Sequence, residues 1–290
     1  MAQTATTGNL ANAQRIIIGS VIYTEEHNAP CMALTTRMTL PKGAKSKTVP
    51  KVGQMTIHDL VDGQDIVDEE EIGMSSHDLT AAETGAKVIL TDMLVDQSDP
   101  DVFGIIGRQL GDANARKKNR DVIALYSGLN GGTAYGSAGK SFSVANFAAT
   151  IANAKGRTPP FHPTYAVHHP HATYNFMKET TAIGASTEHW PEQFQMEALR
   201  NFWTKRSFNG VMLFESGDID VDSSDDAIGV LAQKDALVTL QAKATKVERD
   251  RDISLRAVEV VMTSRYGVFE LDDDKGAPLT YDAAAPSTAA

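Results

Sequence analysis

The sequence predicts an α+β protein, and three observations carry that prediction. A run with period two, LTTRMTL (34–40), opens a long charged excursion that closes on a second strand-like run, AKVILTDMLV (86–95). One long, capped helical pattern follows. The last third then supplies apolar strands around a charged turn, ERDRD (248–252). The order is mixed: an extended hairpin, a long helix, a compact α+β region and late antiparallel strands.

Each element rests on its own residues. Residues 1–14 are small and polar and read as a flexible arm. In LTTRMTL, Leu34, Met38 and Leu40 share one side of a strand. PKGAKSKTVPK follows, with turn residues and four lysines, Lys42, Lys45, Lys47 and Lys51. The excursion then turns acidic, with seven carboxylates between Asp59 and Glu71. It holds few large apolar residues and cannot build a core of its own. A loop this long inside a compact domain is uncommon and usually functional.

The helix opens with Ser98 or Asp99 as N-cap and Pro100 at the first helical position. Phe103, Ile106, Leu110 and Ala113 form its apolar stripe, which Val122, Leu125 and Tyr126 resume after a polar middle. Gly128 stops it. At 1.5 Å per residue its length is about 40 Å. Its centre carries Arg116, Lys117, Lys118 and Arg120, which by themselves read as a solvated basic face.

A Gly-rich connector, GLNGGTAYGSAGKS, leads to a helix capped by Ser143 and ended by Gly156. TYAVHHPHATYNFMKET reads as a short strand into a helix with Pro170 near its start. EQFQMEALRNFWTK reads as a further helix with Phe194, Leu199 and Phe202 inside. FNGVMLFES, DAIGVLAQKDALVTLQAKATKV and ISLRAVEVVMTSRYGVFEL read as strands, and the last residues, DAAAPSTAA, as a tail.

Composition narrows the function. The 290 residues carry 37 acidic and 27 basic side chains, a net charge of −10. Such a surface does not wrap duplex DNA, because phosphates need Lys and Arg. The single cysteine, Cys31, forms no internal disulfide and reads as a small buried hydrophobe in a reducing compartment. The apolar run RIIIGSVIY (15–23) is too short to span a bilayer and lacks a basic leader. The expectation is a protein that is soluble and intracellular when made.

Two motifs invite chemistry. AYGSAGKS (134–141) fits the phosphate-loop pattern if Ala is tolerated at its first position, which would make Lys140 a phosphate ligand. Yet a helix C-terminus, not a buried strand, precedes it, and that end presents carbonyls. A flexible, hinge-like connector is the better expectation. His162, His168, His169 and His171 could suggest zinc. No cysteine lies near, and no i, i+4 histidine pair spans a glutamate, so polar histidines at a strand-to-helix turn are expected. No nucleophile elbow appears. No enzyme, catalytic residue, cofactor or metal is expected.

The C-terminal third carries a resemblance. GVLAQKDALVTL (229–240), ERDRDISLRAVEVV (248–261) and YGVFEL (266–271) resemble the end of tailed-bacteriophage major capsid proteins of the Hong Kong 97 fold. Upstream, YAVHHPHATYNFM and FNGVMLFES are similar to that family's axial-domain strands, and the helix from Asp99 to its spine helix. The charged excursion is similar to its extended loop. The resemblance implies an N-terminal arm at 1–33, an extended β-hairpin loop with flanking strands at 34–95, and a spine helix with connector at 96–140. It implies an axial domain at 141–228, then peripheral-domain strands and tail at 229–290.

The implied function is that of a major capsid protein of a tailed phage. It would self-assemble as hexamers and pentamers into an icosahedral shell around double-stranded DNA, without sequence-specific binding and without a membrane. The implied location is the virion capsid, assembled in the bacterial cytoplasm. The chain begins directly with the arm, so no fused scaffolding segment is expected: scaffolding is a separate protein or this is a trimmed form, and portal and decoration proteins are further expected partners. Asp65, Asp68, Glu69, Glu70 and Glu71 are expected to meet Arg116, Lys117, Lys118 and Arg120 of a neighbouring copy. Lys42, Lys45, Lys47 and Lys51 lie where some family members carry a cross-linking lysine. No partner residues for it can be matched, so no covalent cross-linking is expected. The alternatives are an encapsulin-type nanocompartment shell and a P-loop nucleotide-binding enzyme.

Overall fold

The computed structural model describes residues 30–52, 74–93, 101–183 and 207–287. They form two larger sheets joined by one helix, and a separate two-stranded hairpin. The chain starts with a helical turn, α1 (Pro30–Ala33), and a strand, β1 (Thr36–Thr39). A two-stranded hairpin follows, β2 (Ser46–Val52) against β3 (Met74–Thr80). The lysine-rich segment, noted for its turn residues, holds strand β2 of this hairpin. Strand β4 (Ala82–Thr91) comes next, then the long helix α2 (Asp101–Ala124).

The first sheet has four strands in the order β1-β10-β11-β4. Its centre is a long antiparallel hairpin, β10 (Leu237–Asp252) and β11 (Ala257–Glu270). ERDRD, expected as a turn, is the end of β10, paired with 257–261; the turn itself is 253–256. Every side chain of this segment is charged and none is buried, and the backbone pairing with 257–261 is what extends it as a strand.

The second sheet has six strands in the order β5-β12-β9-β6-β8-β7. Its members are β5 (Tyr135–Ser141), β6 (Tyr165–His168), β7 (Ser207–Phe208), β8 (Val211–Glu215), β9 (Asp226–Ala232) and β12 (Gly276–Asp282). Helices α3 (Val144–Gly156) and α4 (Pro170–Ile183) belong to this unit. The boundary expected between 228 and 229 falls inside β9. β12 also returns to this sheet from the far end of the sequence. The helix expected in EQFQMEALRNFWTK lies outside the described residues.

The larger core belongs to the six-stranded sheet. Phe142, Phe147 and Phe176 are fully buried, with ring centroids 5.1 to 5.7 Å apart, and Tyr281 meets Phe142 edge-on at 5.0 Å. Ser143 caps α3 by accepting the Asn146 amide, as its sequence indicates.

Helix α2 joins the two cores. Leu110 packs with Leu90, Val247, Val260 and Met262 of the four-stranded sheet, while Val122 and Tyr126 enter the aromatic core. The apolar stripe differs from the one expected. Ala113 is exposed, and the buried line continues through Asn114, Ala115, Lys118 and Asn119. Polar side chains are tolerated there because they are bonded. Asn114 donates to Thr245 Oγ1 at 3.2 Å and accepts from Ser264 at 3.3 Å. Asn119, fully buried, accepts the Cys31 amide and donates to Ser216 and to Asp218 at 2.6 Å. It ties α1, α2 and the segment after β8 together.

Candidate functional site

The β2–β3 hairpin leaves the body of the protein with little burial. Along its described side chains only Leu79 is buried, packing with Leu40, Val238 and Leu240. Gly267 makes this approach possible. A Cβ at that position would lie 2.5 Å from the Thr80 carbonyl oxygen and 2.6 Å from the Phe269 ring. The glycine of YGVFEL thus marks where the hairpin root crosses the long strand.

A second anchor is ionic. Lys51 Nζ lies 2.7 Å from Asp272 Oδ1 and 3.5 Å from Asp274 Oδ2, in the turn after β11. The hydrogen bond to Asp272 raises the Lys51 pKa. Burial works against the Asp272 carboxylate, but Lys51 still holds it below its ordinary range. The same turn grips two more elements. Asp274 pairs with Arg157, at the end of α3, at 2.8 Å, and Asp273 accepts the Gly131 amide at 2.9 Å. Burial, then a hydrogen bond shared with Asp273, pushes Glu270 up to about 7. Sequence reasoning missed this turn; its signal was the run Asp272-Asp273-Asp274 directly after a terminal strand.

The sequence-nominated charges separate in space. Lys42 and Lys45 are exposed between β1 and β2, and Lys47 is half-buried on β2. Asp65, Asp68, Glu69, Glu70 and Glu71 lie outside the described residues. On α2, Arg116, Lys117 and Arg120 are exposed; Lys117 pairs with Asp121, and Arg120 lies 3.9 Å from Asp220. Lys118 departs from the expected solvated face. It is 6% exposed, turns inward, and sits 5.4 Å over the Tyr266 ring and 3.4 Å from Thr245 Oγ1. Burial lowers its pKa to about 8. Tyr266 donates to Asp121 at 2.7 Å, closing a polar layer between helix and sheet.

Neither chemical motif forms a site of its kind. AYGSAGKS is not a hinge. Tyr135 to Ser141 is an edge strand parallel to β12. Gly136 has φ +86, and a Cβ there would lie 2.6 Å from the Thr280 carbonyl oxygen. The Gly139 amide donates to Asp226, Lys140 is exposed, and the Val144 amide at the following helix start donates to Glu179 at 2.7 Å. Two of the amides that a phosphate loop would offer are thus engaged. Among the histidines, His168 is buried and stacks on Phe142 at 5.4 Å, and burial lowers its pKa to about 4. His168 and His169 each accept a backbone amide at the start of α4, through Nδ1. Among the described residues no group of three His, Cys, Asp or Glu side chains is placed to hold a metal, and no helix is long and apolar enough to cross a membrane.

Comparisons with known proteins agree with this architecture. The family model described as phage capsid protein matches residues 78–277, more than half of the chain. The mature capsid of bacteriophage PhiM1 superposes with a TM-score of 0.62 at 15% identity, covering 89% of this chain and 88% of that chain. The acid-stable capsid of the Helicobacter pylori bacteriophage KHP30 gives 0.67 at 12% identity, covering 88% and 91%. The holo-SrpI encapsulin complex from Synechococcus elongatus gives 0.57 at 14%, covering 91% of each chain. At these identities the likeness is one of fold. A search of curated proteins gives no match. The long helix bridging two sheets and the projecting hairpin are thus the Hong Kong 97-type capsid fold, and the chain belongs to the phage capsid protein family as a major capsid protein.

Proposed function

We propose that the chain is the shell subunit of a tailed phage, assembling as hexamers and pentamers into an icosahedral head around double-stranded DNA. One observation carries this within the family: among the described residues of the hairpin Leu79 alone is buried, with Val49 packed beside its cluster and Lys51 paired to Asp272. An element with so little burial of its own gains its order from neighbouring copies. The net charge of −10 suits a container that encloses DNA without gripping it. The role is geometric and uses no catalytic group. Assembly in the bacterial cytoplasm, with separate scaffolding, portal and decoration proteins, completes the proposal.

Electron microscopy of the purified protein tests it. Closed shells with hexameric and pentameric units are expected, and a protein that stays monomeric at all concentrations overturns the proposal. Shells that enclose an enzyme instead of DNA would favour the encapsulin-type alternative.

We also propose that the acidic stretch Asp65–Glu71 of one copy meets Arg116, Lys117 and Arg120 of another; the burial of Lys118 leaves these three for the contact. Such charges set register and partner choice. Reversing Asp68 to Glu71 to lysines is expected to reduce particle yield, with recovery when the helix charges are reversed too. Unchanged yield in the first variant removes this pairing.

A further inference from the structure

The sequence holds two Asn-Gly pairs, Asn130-Gly131 and Asn209-Gly210. In such a pair the backbone can attack the side chain, because glycine has no Cβ to shield its amide nitrogen. The two pairs share a backbone shape. Asn130 and Gly131 have φ +58 and +59, and Asn209 and Gly210 have φ +49 and +85, all left-handed. Neither glycine is crowded: a Cβ at Gly131 or Gly210 would meet nothing within 4 Å. Hydrogen bonding is what separates them.

Asn130-Gly131 is held at every reacting atom. The Asn130 side-chain nitrogen donates to the Thr133 carbonyl at 2.8 Å, and its oxygen accepts from Arg157 at 2.7 Å. The Gly131 amide donates to both carboxylate oxygens of Asp273, at 2.9 and 3.1 Å. An amide facing a carboxylate resists losing its proton, because the new negative charge would meet an existing one.

Asn209-Gly210 is the two-residue turn between β7 and β8. Phe208 pairs with Val211, and positive φ at both central residues makes the turn type I′. Its closing bond joins the outer residues, so the central amide lies outside the ladder. Asn209 and Gly210 are both exposed. Among the described residues no hydrogen bond holds the Asn209 side chain or the Gly210 amide.

We propose that Asn209 is a site of spontaneous covalent modification, a deamidation with water as the co-reactant, and that Asn130 is guarded against the same reaction. The Gly210 nitrogen gives its proton to hydroxide and bonds to Asn209 Cγ. The Cγ–Nδ2 bond breaks, ammonia leaves with a proton drawn from water, and a succinimide ring remains. Water then opens the ring. Cleavage at Cγ leaves aspartate; cleavage at the main-chain carbonyl leaves isoaspartate, whose chain runs through the side-chain carbon. The net change is amide plus water to carboxylate plus ammonium. Either product puts a negative charge at the edge of the six-stranded sheet. Isoaspartate also lengthens the backbone of a turn whose flanks are pinned: Phe208 meets the Phe147 and Phe176 rings at 5.8 and 5.5 Å, and Val211 is buried. The reaction is independent of the shell-forming role.

The test incubates the full-length protein at mildly alkaline pH, folded and in urea, and follows both sites by peptide mapping and mass spectrometry. In the folded protein the peptide holding Asn209 is expected to gain about 1 Da and to separate into aspartate and isoaspartate forms, while the peptide holding Asn130 keeps its mass. In urea both peptides are expected to convert, which shows that folding supplies the difference. A folded protein that keeps Asn209 intact over the time in which urea converts it overturns the proposal. Equal conversion of Asn130 and Asn209 in the folded protein overturns the guarding of Asn130. Asp273→Ala, with its folding checked by circular dichroism, removes the acceptor of the Gly131 amide and is expected to speed conversion at Asn130 and leave Asn209 unchanged. An unchanged rate at Asn130 overturns the role given to Asp273.

Discussion

The two sheets of this molecule solve different problems. The six-stranded sheet carries a full core: twenty-seven described residues form the buried cluster around it, with Phe142, Phe147, Phe176 and Tyr281 as its large rings. Among the described residues the four-stranded sheet has two small clusters of five and four buried residues, and Leu79 in the second is the hairpin's one buried side chain. It holds its helix through a polar layer, Asn114, Lys118, Thr245 and Ser264, where the other unit uses aromatic rings. The difference teaches where assembly acts. A unit with a full core keeps its shape in any environment, whereas one with a thin core takes part of its stability from copies around it.

The largest expected effect tests the full core. Phe142→Ala should cost about 3–5 kcal/mol, because four rings surround the space it leaves. Leu110→Ala, in the thin core, should cost less, about 2 kcal/mol. Urea unfolding of dissociated subunits measures both, and equal costs would remove the contrast.

The polar layer gives the next effect, through pH. Burial lowers the Lys118 pKa to about 8 from an ordinary 10.5. Between those values the unfolded chain holds a proton that the folded chain has released, so stability rises with pH across that window. Below pH 8 the buried charge costs its full amount, about 3 kcal/mol at most. Lys118→Met should therefore be more stable than the wild type at pH 7, and the two should converge toward pH 10. Urea midpoints that run parallel between pH 7 and pH 10 would contradict this.

The smallest effect belongs to the hairpin anchor. Lys51 is partly exposed, so Lys51→Ala should cost the subunit less than about 1 kcal/mol. Its consequence should instead be orientational. Limited proteolysis of the dissociated subunit should cut the hairpin faster, with the six-stranded sheet untouched.

Much of this division was legible in the residues. Capping by Ser143, the start of α4 at Pro170 and the run of late strands follow from local chemistry that short segments carry by themselves. The long helix was also legible, but its buried face was not. Hydrophobicity assigned Ala113 to the core, whereas the fold buries Asn114 and Lys118, whose partners Thr245 and Ser264 lie more than a hundred residues away. ERDRD resembled a turn because charge is common to turns and exposed strand ends; pairing with 257–261 decides it. The glycines of AYGSAGKS suggested freedom, yet Gly136 is there because Thr280 and Tyr281 come too close for a side chain. The acidic turn at 270–274 stayed hidden for the same reason: Lys51, Gly131 and Arg157 reach it from distant parts of the sequence.

Amide hydrogen exchange on dissociated subunits and on assembled particles tests the central contrast most directly. The strands of the six-stranded sheet, Tyr165–His168 and Asp226–Ala232, should be protected equally in both states. The hairpin strands Ser46–Val52 and Met74–Thr80 should gain protection only on assembly. A uniform gain across both sheets, or none in the hairpin, would contradict the account.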